Sequence, residues 1–208
     1  MVDVSIIQSN FEDINPELAQ KLASIGRKTT LPAGQEILKE GQYIKVVPLV
    51  VEGLIKVYTR YEDKELLLYY IQPGESCIMS FSASLKNQPS KIFAITEEVT
   101  TAILLPADQT EQLSWQYPGF NQLFFQLYNL RYADLLDTIN HLIYDTLDNR
   151  IYKYLKNKQK ITGKKLLQLT HRQIAAELGT AREVISRLLK KMEKEDKLII
   201  TKDGISLK

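Results

Sequence analysis

Two hydrophobic periods divide this 208-residue chain, and they occupy separate blocks. From Leu31 to Pro106 the apolar residues fall in short β-branched and aromatic runs: EIL, VVPLVV, LIKVYTRY, ELLLYYI, KIFAIT and TTAILL. Gly34, Gly41, Gly53 and Gly74 punctuate them, and YEDKEL (Tyr61–Leu66) reads as a hairpin connection. From Pro118 to Asp145 the texture is helical, with no glycine after Gly119. Phe120, Leu123, Phe124, Leu127, Leu130, Leu135, Ile139, Leu142 and Ile143 recur at the spacing of one helix face. Strands gathered in one block and helices in others indicate an α+β fold, the strands closing a compact antiparallel barrel or roll. Residues 1 to about 30 are expected to be helical, on the spacing of Phe11, Leu18, Leu22 and Ile25.

The helix expected over Pro118–Asp145 would be roughly 42 Å long at 1.5 Å per residue. Two readings are open. It is a core helix packed along the barrel, or its stripe of Leu123, Leu127, Leu130, Leu135, Ile139 and Leu142 pairs with a second copy of the chain. Asp134 interrupts the stripe and the apolar register shifts beyond it, so the pattern is not a regular heptad.

The formal charge of +2 conceals an asymmetry. Residues 150–208 hold 16 Lys and Arg against 6 Asp and Glu, whereas residues 1–149 hold 11 against 19. An acidic body with a basic module fits a polyanionic partner, although lysine-rich helices also serve solubility alone. No apolar run approaches the ~18 residues of a membrane span, and the acidic N-terminus lacks the basic start of a secretory signal. A single cysteine, Cys77, excludes a disulfide framework or an all-cysteine metal site within one chain. These features are expected of a cytoplasmic protein with no membrane partner.

The basic module begins with RIYKYL at Arg150, followed by an expected lysine-rich loop, KNKQKITGKK. Then THRQIAAELGTAREVISRLLKKME carries two helix-start signals ten residues apart. Thr170 with Gln173 and Thr180 with Glu183 each match a capping box, and Gly179 is placed to end the first helix. On a helical wheel from Arg182, the residues Arg182, Glu183, Ser186, Arg187, Lys190 and Lys191 share one half. Val184, Ile185, Leu188, Leu189 and Met192 share the other, expected to pack on Ile174, Ala175 and Leu178. Asp203-Gly204 predicts a hairpin turn behind this helix. The plain reading is a helix hairpin with a solvated basic face. The functional reading is a helix that enters the major groove of double-stranded DNA. Arginine pairs with guanine and glutamate accepts from cytosine, while Thr170, Thr180 and Lys202 are candidates for phosphate and Arg172 is a further DNA-binding candidate.

IAAELG and TAREVISRLLKKME resemble the helix-turn-helix signature of the Crp/Fnr family of bacterial transcription regulators, with Ala181 at the family's serine position. LPAGQEILKEG, VVEGLIKVY and IQPGE resemble the glycine-bearing strands of its β-roll. The resemblance implies an N-terminal cyclic-nucleotide-binding-type β-roll, a long dimerisation helix and a C-terminal winged helix-turn-helix. It divides the chain into 1–117, 118–147 and 148–208, and assigns base reading to Arg182, Glu183 and Arg187. It also implies a homodimer, with RNA polymerase and an unidentified small-molecule effector as further partners.

The resemblance fails at the family's phosphate cassette. Counting from Gly74 and Glu75, the glutamate that holds the ribose falls at Met79; the arginine that neutralises the phosphate falls at Gln88, with Pro89 next. Neither replacement carries the needed charge, so cAMP and cGMP binding is not expected. Lys91 is near, on an expected strand. An iron–sulfur cluster of the family's oxygen-sensing type needs more cysteines than one. His141 and His171 are read as surface or cap-adjacent histidines and Cys77 as a small buried hydrophobe, with haem ligation and a redox switch as the alternatives. No cofactor is predicted. With no phosphate-binding glycine loop and no metalloprotease motif, an enzyme is not expected. The rival to DNA binding is a ligand- or protein-binding signalling module whose winged helix is an interaction surface.

Overall fold

The computed structural model describes residues 2–61, 64–144 and 146–208, without the side chains of 61, 64, 137, 138 and 140–144. The middle of the expected YEDKEL connection, and the side chains of His141, Leu142 and Ile143, therefore lie outside the described residues. The chain divides into two compact units, Met1–Thr59 with Leu68–Asp134, and Arg60–Leu67 with Leu135–Lys208.

The first unit opens with helices α1 (Val4–Asn10) and α2 (Pro16–Ile25). Asp3 and Asn15 cap them by accepting from the backbone N–H groups of Ser5 and Leu18, and Pro16 stands at the first turn, where its missing N–H is harmless. Helix was expected to about residue 30. Instead Arg27–Leu31 is strand β1, paired with Thr100–Leu104. RKTTL has no apolar alternation, so its pairing is decided by its neighbour, including a 3.2 Å contact between the hydroxyls of Thr30 and Thr101. Strands β2 (Glu36–Leu38), β3 (Val46–Glu52), β4 (Ile55–Tyr61), β5 (Lys64–Ile71), β6 (Phe93–Thr96) and β7 (Thr100–Pro106) follow the six expected runs. They form two sheets, ordered β1-β7-β3 and β2-β6-β4-β5. Pro48 is tolerated because β3 lies at a sheet edge. Lys91 precedes β6 rather than lying on it.

Two further helices were not expected from the sequence. Helix α3 (Ile78–Lys86) occupies the cassette segment, started by Cys77, whose sulfur accepts from Ser80 N at 3.4 Å, and ended by Asn87 in a left-handed conformation. Helix α4 (Ala107–Gln116) precedes the long helix α5 (Pro118–Tyr144). Phe81 of α3 stacks on Phe124 of α5 at 3.6 Å between centroids, and Phe120 meets both edge-on. These rings join α2, β3 and β7 in the main core. Leu123 and Leu127 belong to that core, 6% exposed each, so the N-terminal part of α5 is a core helix. By contacts, α5 to Asp134 groups with the first unit.

In the second unit, helix α6 (Leu147–Thr162) continues through the lysine-rich segment expected as a loop. Ile151, Tyr154, Leu155 and Lys158 are its buried face at one-turn spacing, with the Lys158 stem continuing the apolar stripe. After β8 (Leu166–Leu167) come α7 (His171–Glu177), α8 (Arg182–Lys194), β9 (Leu198–Thr201) and β10 (Gly204–Leu207). The three strands form a sheet ordered β8-β10-β9. Its turn is Lys202–Asp203 rather than Asp203-Gly204, since Gly204 pairs with Thr201. A Cβ on Gly204 would lie 2.4 Å from the Leu167 carbonyl oxygen, so glycine is needed where β8 approaches β10. Among the described residues no helix is long and apolar enough to cross a membrane.

Candidate functional site

The first capping box forms as expected. Gln173 N–H donates to Thr170 Oγ1 at 3.2 Å, and Thr170 N–H donates to Gln173 Oε1 at 2.8 Å. The second does not. Ala181 is the N-cap of α8 and makes no side-chain cap bond, which leaves Thr180 one position outside the helix. Gly179 makes the turn at φ 64°, and Thr180 N–H returns to the Ala175 carbonyl at 2.9 Å. Arg150 Nη2 donates to the Leu178 carbonyl at 3.1 Å, fastening α6 to the turn. Tyr154 donates to the buried Glu177 carboxylate at 2.9 Å.

Helix α8 packs against α7 through its apolar face. Ile185, Leu189 and Met192 are buried on Ile174, Ala175 and Leu198, and Val184 and Leu188 are half-buried. Arg182, Glu183, Arg187 and Lys190 are exposed on the opposite face, as are Thr170 and Arg172 on the preceding turn and Lys202 at the hairpin tip. Thr180 and Ser186 are half-buried. Ser186 is engaged: it donates to the Arg182 carbonyl at 3.0 Å and lies 2.9 Å from His171 Nδ1. The Glu193 carboxylate accepts from Ile200 N–H at 2.9 Å, tying the end of α8 to the hairpin. The result is a rigid cylinder with donors projecting from its first turns and a basic finger behind it, which suits the groove and backbone of a duplex.

The cassette of the first unit has a different chemistry. Met79 is half-buried against the apolar clusters of the roll, while Gln88 and Pro89 are exposed beyond the end of α3. A cavity of about 260 Å³ opens in the roll, lined by Leu38, Ile55, Ile71, Ala94, Cys77 and Ser80 among others. Among the described residues its wall holds no arginine. Gly74 turns at φ 84°, and Glu75 after it meets a residue that the sequence reading overlooked. Arg131 of α5, 9% exposed, donates from Nη2 to Glu75 at 2.5 Å and from Nη1 to Asp134 at 2.9 Å. Its guanidinium lies 4.6 Å from the centroid of the Tyr69 ring, and its Nε is buried without a partner. The available signal was one basic residue four positions after Leu127, in line with an apolar stripe. Burial pushes the Tyr69 phenol well above its usual range, reinforced by Cys77, whose sulfur lies 3.9 Å from the hydroxyl.

Among the described residues of α5, the large apolar side chains left exposed are Phe125, Tyr128, Leu130, Tyr132, Leu135, Leu136 and Ile139. Of the stripe expected to pair, Leu130, Leu135 and Ile139 are therefore available, whereas Leu123 and Leu127 are consumed by the chain's own core. Among the described residues no group of three or more His, Cys, Asp or Glu is gathered as a metal site.

Comparison with known proteins matches residues 28–117 to the cyclic nucleotide-binding domain and residues 149–208 to the Crp-like helix-turn-helix domain. The chain is 26% identical over 189 residues to the cyclic AMP receptor protein of Thermus thermophilus, spanning 89% of this chain and 85% of the relative. It is 26% identical over 193 residues to the fumarate and nitrate reduction regulatory protein of Yersinia pestis, spanning 88% and 76%. Its fold is similar to a Crp/Fnr-family transcriptional regulator from Eubacterium rectale, with a TM-score of 0.83 at 22% identity over 94% of this chain and 91% of the other. The c-di-GMP-responsive global regulator of Xanthomonas campestris gives 0.81 at 17% identity over 99% of each.

Proposed function

Because the chain belongs to the Crp/Fnr family of DNA-binding transcription regulators, we propose that it acts as a cytoplasmic homodimer that reads two DNA half-sites and does not respond to cAMP. The observation that carries the reading is the polarity of α8. Its apolar half is consumed by the core, and Arg182, Glu183, Arg187 and Lys190 are left outward on a rigid, doubly anchored helix. Arg182 and Arg187 read guanine edges, Glu183 reads cytosine, and Thr170, Arg172, Thr180, Lys190 and Lys202 hold phosphates. The exposed apolar residues of α5 from Leu130 onward are the surface for the second copy, which sets the half-sites ~34 Å apart. RNA polymerase is the partner of the DNA-bound dimer. In the roll, an apolar Met79 and an exposed Gln88 support the absence of cyclic-nucleotide binding.

The test separates base reading from phosphate contact. Arg182→Ala should cost ~1–3 kcal/mol on a selected operator and relax preference at one base, whereas Lys202→Ala should weaken all duplexes alike and lower the salt slope. Equal losses for Arg182→Ala on operator and random DNA reject its assignment. Calorimetry that detects cAMP or cGMP binding in the micromolar range rejects the reading of the roll.

A further inference from the structure

Ser186 lies on α8 one turn after Arg182 and one turn before Lys190. Its hydroxyl has one proton, which is donated to the Arg182 carbonyl at 3.0 Å. In its second contact, 2.9 Å from His171 Nδ1, the same oxygen can then only accept. With the Ser186 proton on the Arg182 carbonyl, Nδ1 carries a hydrogen, and in that tautomer of the neutral imidazole Nε2 is a bare lone pair. Among the described residues Nε2 has no partner and is not one of the buried unpartnered atoms, so it reaches solvent. A lone pair repels a phosphate oxygen. A proton on Nε2 converts it into a charged donor while the bond to Ser186 is kept.

We propose that His171 is a proton-dependent phosphate contact, so that DNA binding takes up a proton at Nε2 and tightens as pH falls. This rests on the DNA-binding reading of the same face and specifies its regulation. The exposed charged residues of the two helices that meet at the His171–Ser186 contact are Arg182, Glu183, Arg187 and Lys190 on the outward face of α8 and Arg172 on α7. Helix α6 meets α7 at the other end, through Arg150 at Leu178 and Tyr154 at Glu177, roughly 9 Å along the axis from His171. The two helices thus present four exposed cations and one exposed carboxylate on these segments. Docked phosphates reverse the sign of that field, so the proton is gained when DNA arrives.

Fluorescence anisotropy of the full chain on a random-sequence duplex of about three turns, at constant ionic strength, tests the proposal because a phosphate contact is independent of sequence. Affinity should be roughly three- to tenfold tighter at pH 6 than at pH 8. His171→Asn keeps an N–H for Ser186 and has no second site to protonate, so it should bind at every pH as the wild type does at pH 8. His171→Arg carries a permanent cation and should bind independently of pH at the wild-type pH 6 level. His141→Gln, which removes the only other histidine, should leave the dependence intact. Flat wild-type affinity between pH 6 and pH 8, or a dependence that survives in His171→Asn, overturns the proposal while leaving DNA binding standing. A folded protein that binds no duplex at either pH overturns both.

Discussion

Glu75→Gln should destabilise the first unit by more than any surface change, because it strips a carboxylate from a buried guanidinium. Arg131 has 8% of its side chain exposed and Glu75 has 14%, and the pair meets at 2.5 Å. Removing one partner of a buried pair costs about 3–5 kcal/mol, chiefly because the remaining charge is left uncompensated. Two features lower that figure here. Asp134 still pairs with Nη1 at 2.9 Å, and the face of Tyr69 remains against the guanidinium. The expected loss is therefore about 2–3 kcal/mol. Arg131→Met should cost a similar amount, since it leaves Glu75 with only the Gln72 N–H at 2.9 Å. The double variant Glu75→Gln/Arg131→Met leaves neither charge of the pair stranded. Its cost should fall short of the sum of the singles by about 1.5–3 kcal/mol. Urea unfolding of the full chain, followed by far-UV circular dichroism, measures all four corners of the cycle. Single losses below about 0.5 kcal/mol, or strict additivity in the double variant, would mean that the guanidinium is effectively solvated and would refute the reasoning.

Thr170→Ala removes the one capping box that forms and should cost the second unit about 1 kcal/mol, read as a lower urea midpoint at unchanged slope. Gly204→Ala forces a Cβ to within 2.4 Å of the Leu167 carbonyl oxygen and should cost about 1–3 kcal/mol, with amide exchange accelerated in β8 and β10. The Tyr69 phenol is raised by burial, so its contribution to stability is complete below the unfolded value of 10.0 and is lost as pH rises toward the folded value. Tyr69→Phe should accordingly flatten the fall in stability above pH 10, as measured by melts in alkaline buffer. Leu135→Glu places a charge among the exposed apolar residues of α5 and should shift sedimentation from dimer to monomer without lowering the melting temperature of the isolated chain.

Much of the architecture was legible because it depends on near neighbours in the chain. The six strands, the long helix and the polar face of α8 each follow from a period that a backbone of fixed repeat turns into one face. The Thr170–Gln173 box and the Gly179 turn are likewise settled within four residues. Partners distant in sequence decided the rest. Strand β1 exists because β7 is beside it, the lysine-rich segment to Thr162 is helical with Lys158 on the buried face of α6, and Leu123 and Leu127 belong to the roll's core because Phe81 of α3 brings that core to α5. The Glu75–Arg131 pair spans 56 residues, and the His171–Ser186 contact spans 15 across a turn. Hydrophobic period and capping chemistry are local properties of the chain and determined the elements and the two faces of α8. Which charges are buried and which hydroxyls are already engaged depends on packing between elements, and only the folded structure decided that.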